Sequence, residues 1–174
     1  MLNQGVDLAQ QVINMIIFLI FLMLIIVSIV GVFLYKRYNS VDTKLSFKES
    51  LDLTNLPVVT FYSGHKKLNM LLDTGSSECI LSKEYLDNIW YTETDQSKQV
   101  FGMEGNIVQN PIVTTTISYS GIKFDVEFIA TDMSQPFGLI KQESGVTIHG
   151  ILGSNFFTRY KYILDFDKLM FYKK

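Results

Sequence analysis

Residues 70–77, Met-Leu-Leu-Asp-Thr-Gly-Ser-Ser, run apolar residues straight into an acid, a hydroxyl and a glycine. A loop acid normally sits on a polar approach, whereas Asp73 ends what reads as a buried strand. A carboxylate carried on a stiff apolar strand has its position fixed, as acid–base chemistry requires. The other reactive side chains fit structural roles better. His65 and His149 lack the paired spacing of metal ligands, and Cys79 is the sole cysteine, so no metal site is expected. His149 reads as a packed or rim histidine, and Cys79 as a small buried apolar residue. Glu104 fits a solvated turn as well as a substrate contact. Trp90 and the aromatic run from Phe156 to Tyr162 are expected in a core or an interface.

The elements that must position Asp73 are short and β-rich. Two apolar stretches flank Ser-Gly-His-Lys at 63–66, a hairpin signal, and another hairpin turns at Ser120-Gly121. Gly102 and Gly105 sit between two apolar pieces and mark a third hairpin tip. Residues 79–82 read as a strand, with Ser82 capping one or two helical turns. Gly150-Ile151-Leu152-Gly153 is a glycine-bounded apolar run followed by a short helix, and two strands around Asp167-Lys168 close the chain. Residues 51–174 therefore predict an all-β domain of eight or nine strands and two short helices. No helix of 10–15 residues is expected to follow a strand, which argues against a parallel α/β sheet.

Asp73-Thr74-Gly75-Ser76 after Leu71-Leu72 resembles the active-site signature of retropepsin-like aspartic proteases. Gly150-Ile151-Leu152-Gly153, about 75 residues later, resembles that family's second hallmark. Phe101-Gly102-Met103-Glu104-Gly105 lies where the family's flap hairpin lies. The resemblance spans residues 55–174 and implies a single-lobed acid-protease barrel with one short C-terminal helix. It further implies an endopeptidase without cofactor, whose substrate lies extended between the Asp73 floor and the flap formed by Gly102, Met103, Glu104 and Gly105. Two carboxylates about 3 Å apart cannot both ionise, so they share one proton, and one acts as base while the other acts as acid. By the same resemblance the Gly75 amide bonds the Asp73 carboxylate, and Thr74 reaches to a partner loop. Ser76, where viral members commonly carry alanine, would bond the outer oxygen of Asp73. Ile151, Leu152 and Gly153 belong to the second hallmark.

One Asp-Thr-Gly supplies half a dyad. Asp165 and Asp167 lack the following Thr/Ser-Gly and look like turn residues. The second carboxylate is then Asp73 of another copy in a twofold homodimer. The alternative is a non-catalytic, membrane-tethered dimerisation or peptide-binding module with the same fold.

The membrane enters through residues 13–35. From Met15 to Tyr35 only Ser28 and Gly31 interrupt an uncharged apolar run, long enough as a helix to cross a hydrocarbon core of roughly 30 Å. Residues 1–12 form a short tail with no Lys or Arg, unlike the basic start of a signal peptide. Lys36, Arg37, Lys44 and Lys48 follow the helix, so the positive-inside bias places the protease domain in the cytoplasm. The polar residues 36–50 read as a juxtamembrane linker. A net charge of −2 and a pI near 5.6 argue against nucleic acid. The expected partners are a protein or peptide substrate and a second copy, both implied by the resemblance, and the membrane.

Overall fold

The computed structural model describes residues 2–39, 44–101 and 107–173. The chain divides into two units, Met1–Val41 and Asp42–Lys174. The first is one helix, α1 (Leu2–Asn39). Its stretch Ile13–Val32 is long and apolar enough to cross a membrane, and the side chains of that stretch are exposed.

The second unit is a closed β-barrel. The strands β1 (Val58–Ser63), β2 (Lys66–Leu72), β3 (Ile80–Ser82), β4 (Thr92–Phe101), β5 (Ile107–Tyr119), β6 (Ile122–Thr131) and β7 (Gly150–Leu152) form one sheet in the order β1-β2-β7-β3-β6-β5-β4. A further pairing of Tyr62 with Ser118 joins β1 to β5 and closes six strands into a ring, leaving β4 outside on β5. Closure removes most free edges. The hairpins turn where small and turn-prone residues allow it: Ser120 and Gly121 both take positive φ, 49° and 81°, the twist that suits a two-residue connection. A separate pair, β8 (Tyr162–Asp165) and β9 (Met170–Lys173), ends the chain.

Phe61, Phe128 and Phe156 fill the barrel together with Leu81, Ile117 and Leu152, and Tyr162 of β8 and Phe171 of β9 stack on this core. The aromatic run at 156–162 is thus largely core. Trp90 is not: it is 92% exposed, although its backbone carbonyl accepts a hydrogen bond from Thr115 Oγ1.

Two helices depart from the sequence expectation. The 11-residue α3 (Ser134–Ser144) does follow a strand, β6. Pro136 falls in its first turn, where a missing N–H costs little, and Gly145 ends it at φ 76°. The sheet is still not doubly wound: β3 runs parallel to β6 and antiparallel to β7, so α3 joins two antiparallel strands and makes no parallel crossover. The second departure is α2 (Phe47–Thr54), which begins inside the expected linker. Ser46 and Glu49 form a reciprocal capping box, and Leu45 and Phe47 are buried at 2% and 3% exposure. Much of the region 44–50 is therefore part of the globular unit, because its apolar residues complete two core clusters.

Ser82 precedes a short 3-10 helix (Lys83–Asn88) as expected, but its hydroxyl makes no capping bond and is buried without a partner.

Candidate active site

Asp73 follows the last residue of β2. The strand is fixed on both sides: Leu72 pairs in parallel with Leu152, and the Leu72 N–H donates to the Pro57 carbonyl at 2.8 Å. The Asp73 N–H then donates to Leu152 O at 3.0 Å, so the two motifs meet directly at the carboxylate-bearing residue. The chain turns at Thr74-Gly75, both exposed, while Asp73 stays half-buried. Gly75 N–H donates to Asp73 Oδ1 at 2.8 Å and fixes the carboxylate rotamer.

Gly153 closes the other side. A Cβ there would lie 2.3 Å from Glu78 O and 2.8 Å from Ser76 O, closer than any side chain is tolerated. Ser154 N–H donates to Ser76 O at 2.7 Å, tying the start of α4 (Ser154–Tyr160) to the Asp73 loop. Gly150 has the same steric cause, since its Cβ would meet Ile80 O at 2.4 Å. Both glycines exist so that backbones can touch.

Ser76 corrects the sequence expectation. Its hydroxyl donates to Glu78 O at 2.7 Å and braces the loop instead of bonding Asp73. Spacing alone does not reveal this, because either acceptor is within a serine's reach.

Three residues that sequence reasoning did not select join the loop to its surroundings. Glu78 pairs with Lys98 of β4 through Oε1 and accepts from Asn155 Nδ2 at 3.3 Å through Oε2. Asn155 Oδ1 in turn accepts from the Cys79 thiol at 3.1 Å. Burial pushes that thiol up to about 11, so it stays protonated and is no nucleophile at neutral pH. The residues expected to form a flap, Gly102, Met103, Glu104 and Gly105, lie outside the described residues, while the ladder between β4 and β5 is described up to the pair Phe101 and Ile107.

The remaining acids and histidines serve elsewhere. Asp165 Oδ1 accepts from the N–H groups of Asp167 and Lys168 at 3.1 and 2.9 Å, and the Lys168 N–H above all holds its carboxyl below the ordinary value. It builds the β8–β9 turn. His65 is exposed in the β1–β2 turn. His149 packs its ring 4.3 Å from Tyr85, between centroids.

A family model described as aspartyl protease matches residues 58–156, more than half of the chain. A search of curated proteins finds no significant match. Among solved structures, the chain is similar to EIAV protease complexed with the inhibitor HBY-793, at 19% identity and a TM-score of 0.46, covering 60% of this chain and 86% of that one. It is also similar to the retroviral protease-like domain of Ddi1 from Leishmania major, at 12% identity and a TM-score of 0.49, with 68% and 88% covered. A retropepsin-like aspartic protease from Rickettsia conorii matches at 17% identity and a TM-score of 0.38, with 63% and 75% covered. The sequence model carries the assignment: the chain belongs to the aspartyl protease family.

Proposed function

We propose that this protein is a membrane-anchored aspartic endopeptidase in which Asp73 is the catalytic carboxylate. The observation that supports it is the junction of the two motifs, where Asp73 bonds Leu152 O through its N–H and Gly75 through its carboxylate. One carboxylate cannot act as base toward water and as acid toward the scissile carbonyl oxygen at once. A second Asp73, from another copy across a twofold axis, supplies the missing role. Thr74, which is exposed, would then meet the partner loop. A peptide would lie extended over this floor, under the hairpin that β4 and β5 flank, with backbone pairing for affinity. Helix α1 anchors the chain through Ile13–Val32, and the basic residues after it favour a cytoplasmic domain.

The test is cleavage of an unfolded protein by the purified full-length chain, with and without Asp73→Asn. The substitution abolishes cleavage, and activity that survives it ends this reading. Equal co-expression of both forms separates a shared site from a self-sufficient one. Random pairing leaves about a quarter of dimers intact, so activity per total chain falls to roughly a quarter. A fall to one half means that each chain works alone.

A further inference from the structure

A continuous run of hydrogen bonds lies behind the candidate site and is not part of it. Leu45 N–H donates to Thr60 Oγ1 at 2.6 Å, and Thr60 Oγ1 donates to Asn69 Oδ1 at 2.7 Å. Asn69 Nδ2 donates to Thr147 O at 2.9 Å. The backbone of Asn69 also meets His149 twice. His149 N–H donates to Asn69 O at 2.9 Å, and Asn69 N–H donates to the His149 ring nitrogen Nδ1 at 3.0 Å. His149 O completes the junction by accepting from Ser82 N–H of β3 at 2.9 Å.

The position of this junction matters. Asn69 lies four residues before Asp73 on β2, and His149 lies immediately before β7. The regular ladder between these strands starts one residue later, at Met70 and Gly150, and runs for three pairs. A histidine side chain thus extends a very short parallel ladder by one bond at the end away from Asp73. Nδ1 can accept that bond only when it carries no proton.

We infer that Asn69 and His149 form a positioning clamp that keeps β2 and β7, and with them Asp73 and Leu152, in register only while His149 is neutral. This confines the proposed proteolysis to conditions above an acid threshold and rests on the aspartic-protease reading. The groups facing His149 among the described residues act in both directions, and burial decides between them. Tyr85 of the 3-10 helix packs at a tilt against the ring, and burial, with Glu84 adding to it, raises its phenol, which stays uncharged. Lys141 of α3 contributes positive charge, and β2 and β3 contribute the Asn69 and Ser82 backbone groups. Burial pushes His149 from 6.5 down to about 4, outweighing the Asn69 backbone, which acts upward, with Lys141 adding a smaller downward push.

The sign follows. Between these values the unfolded chain binds a proton that the folded chain refuses, so stability is lost as pH falls from about 6.5 and levels off below about 4. That separation is worth roughly 300-fold in the opening equilibrium. His149→Asn tests it, because its side-chain carbonyl oxygen lies as many bonds from Cβ as Nδ1 does and takes up no proton in this range.

Amide exchange is followed on the full-length chain in detergent, comparing wild type and variant at each pH. Protection of β2 and β7 should match at pH 7, with the wild type losing roughly 100-fold relative to the variant by pH 4 and approaching 300-fold below it. The peptidase profile should follow: wild type loses about tenfold per unit below its threshold, and the acidic limb of the variant moves to lower pH. Superimposable exchange curves overturn the clamp. Matching exchange behaviour with an unmoved acidic limb overturns its role in positioning the site. Should neither form cleave at any pH, the protease reading fails, while the exchange curves still decide the clamp. If His149→Asn does not fold, nitrogen resonances of the wild-type ring, assigned with His65→Gln, decide the matter. Nδ1 must remain unprotonated to about pH 4, and a midpoint near 6.5 overturns the inference.

Discussion

The floor of the site and the β4–β5 arm beside it are built on opposite principles. In the floor, β2, β7, the Asp73 loop and α4 approach so closely that two positions accept only glycine. The arm is a long hairpin whose β4 strand is exposed along most of its length. Among the described residues β4 is held by one ladder, interrupted between Glu93 and Ser97, by the Thr94 and Ser97 hydroxyls bonding to β5, and by the partly exposed Lys98–Glu78 pair. The floor has many mutually dependent contacts and the arm a few independent ones. On the proposed reading, a carboxylate that must hold its place belongs on the first, and a cover that must admit a chain belongs on the second.

The largest break comes from adding one methyl group to the floor. Gly153→Ala puts Cβ against the backbone of Glu78 and Ser76, atoms that no rotamer change can move. The expected cost is several kcal/mol, seen as loss of soluble folded protein and of cleavage. Gly138→Ala is the control, because nothing lies within 4 Å of that position in α3. It should be neutral or stabilise by about 0.4–1 kcal/mol. If the two variants melt alike, the floor is not as tightly constrained as its geometry requires.

A smaller break tests where the globular unit begins. A chain starting at residue 42 keeps Leu45 and Phe47, and a chain starting at 51 loses both along with the N–H that Thr60 accepts. Two buried apolar side chains are worth roughly 3–6 kcal/mol together. That is a large part of a typical domain's 5–15 kcal/mol. The shorter chain should unfold at much lower urea than the longer one. Equal midpoints would return residues 44–50 to the status of a linker.

These boundaries show which features the sequence displays openly. Hairpins are legible because their turns need particular residues: Ser120 and Gly121 stand where φ must be positive. The Asp73 strand is legible because an apolar run ending in an acid is locally odd. Helix α2 carries its own signal in Ser46 and Glu49, but the surrounding charges outweigh it in a reading by composition. Helix α3 is obscured by Pro136 and Gly138, both poor helix formers that tertiary packing of Phe137 overrides. The direction of the Ser76 hydroxyl and the Asn69–His149 contact leave no local trace. The latter joins residues 80 apart, and only the parallel pairing of β2 with β7 brings them together.

The smallest expected effect lies in the arm. Lys98 and Glu78 have side chains about half and one-third exposed, so solvent screens their attraction and a pair of this kind contributes about 0–1 kcal/mol. Glu78 also keeps its bond from Asn155 when Lys98 is gone. Lys98→Met, which retains much of the apolar stem, should therefore leave the melting behaviour nearly unchanged. Its effect belongs to the placement of the arm over a bound peptide. KM should rise by no more than about fivefold while kcat holds, since about 1 kcal/mol is the ceiling for such a pair. Added salt should shrink the difference between variant and wild type, because the interaction being removed is already screened. A fall in kcat with KM unchanged would instead place Lys98 with the floor. The division between a fixed floor and a lightly held arm would then be drawn on the wrong side of β4.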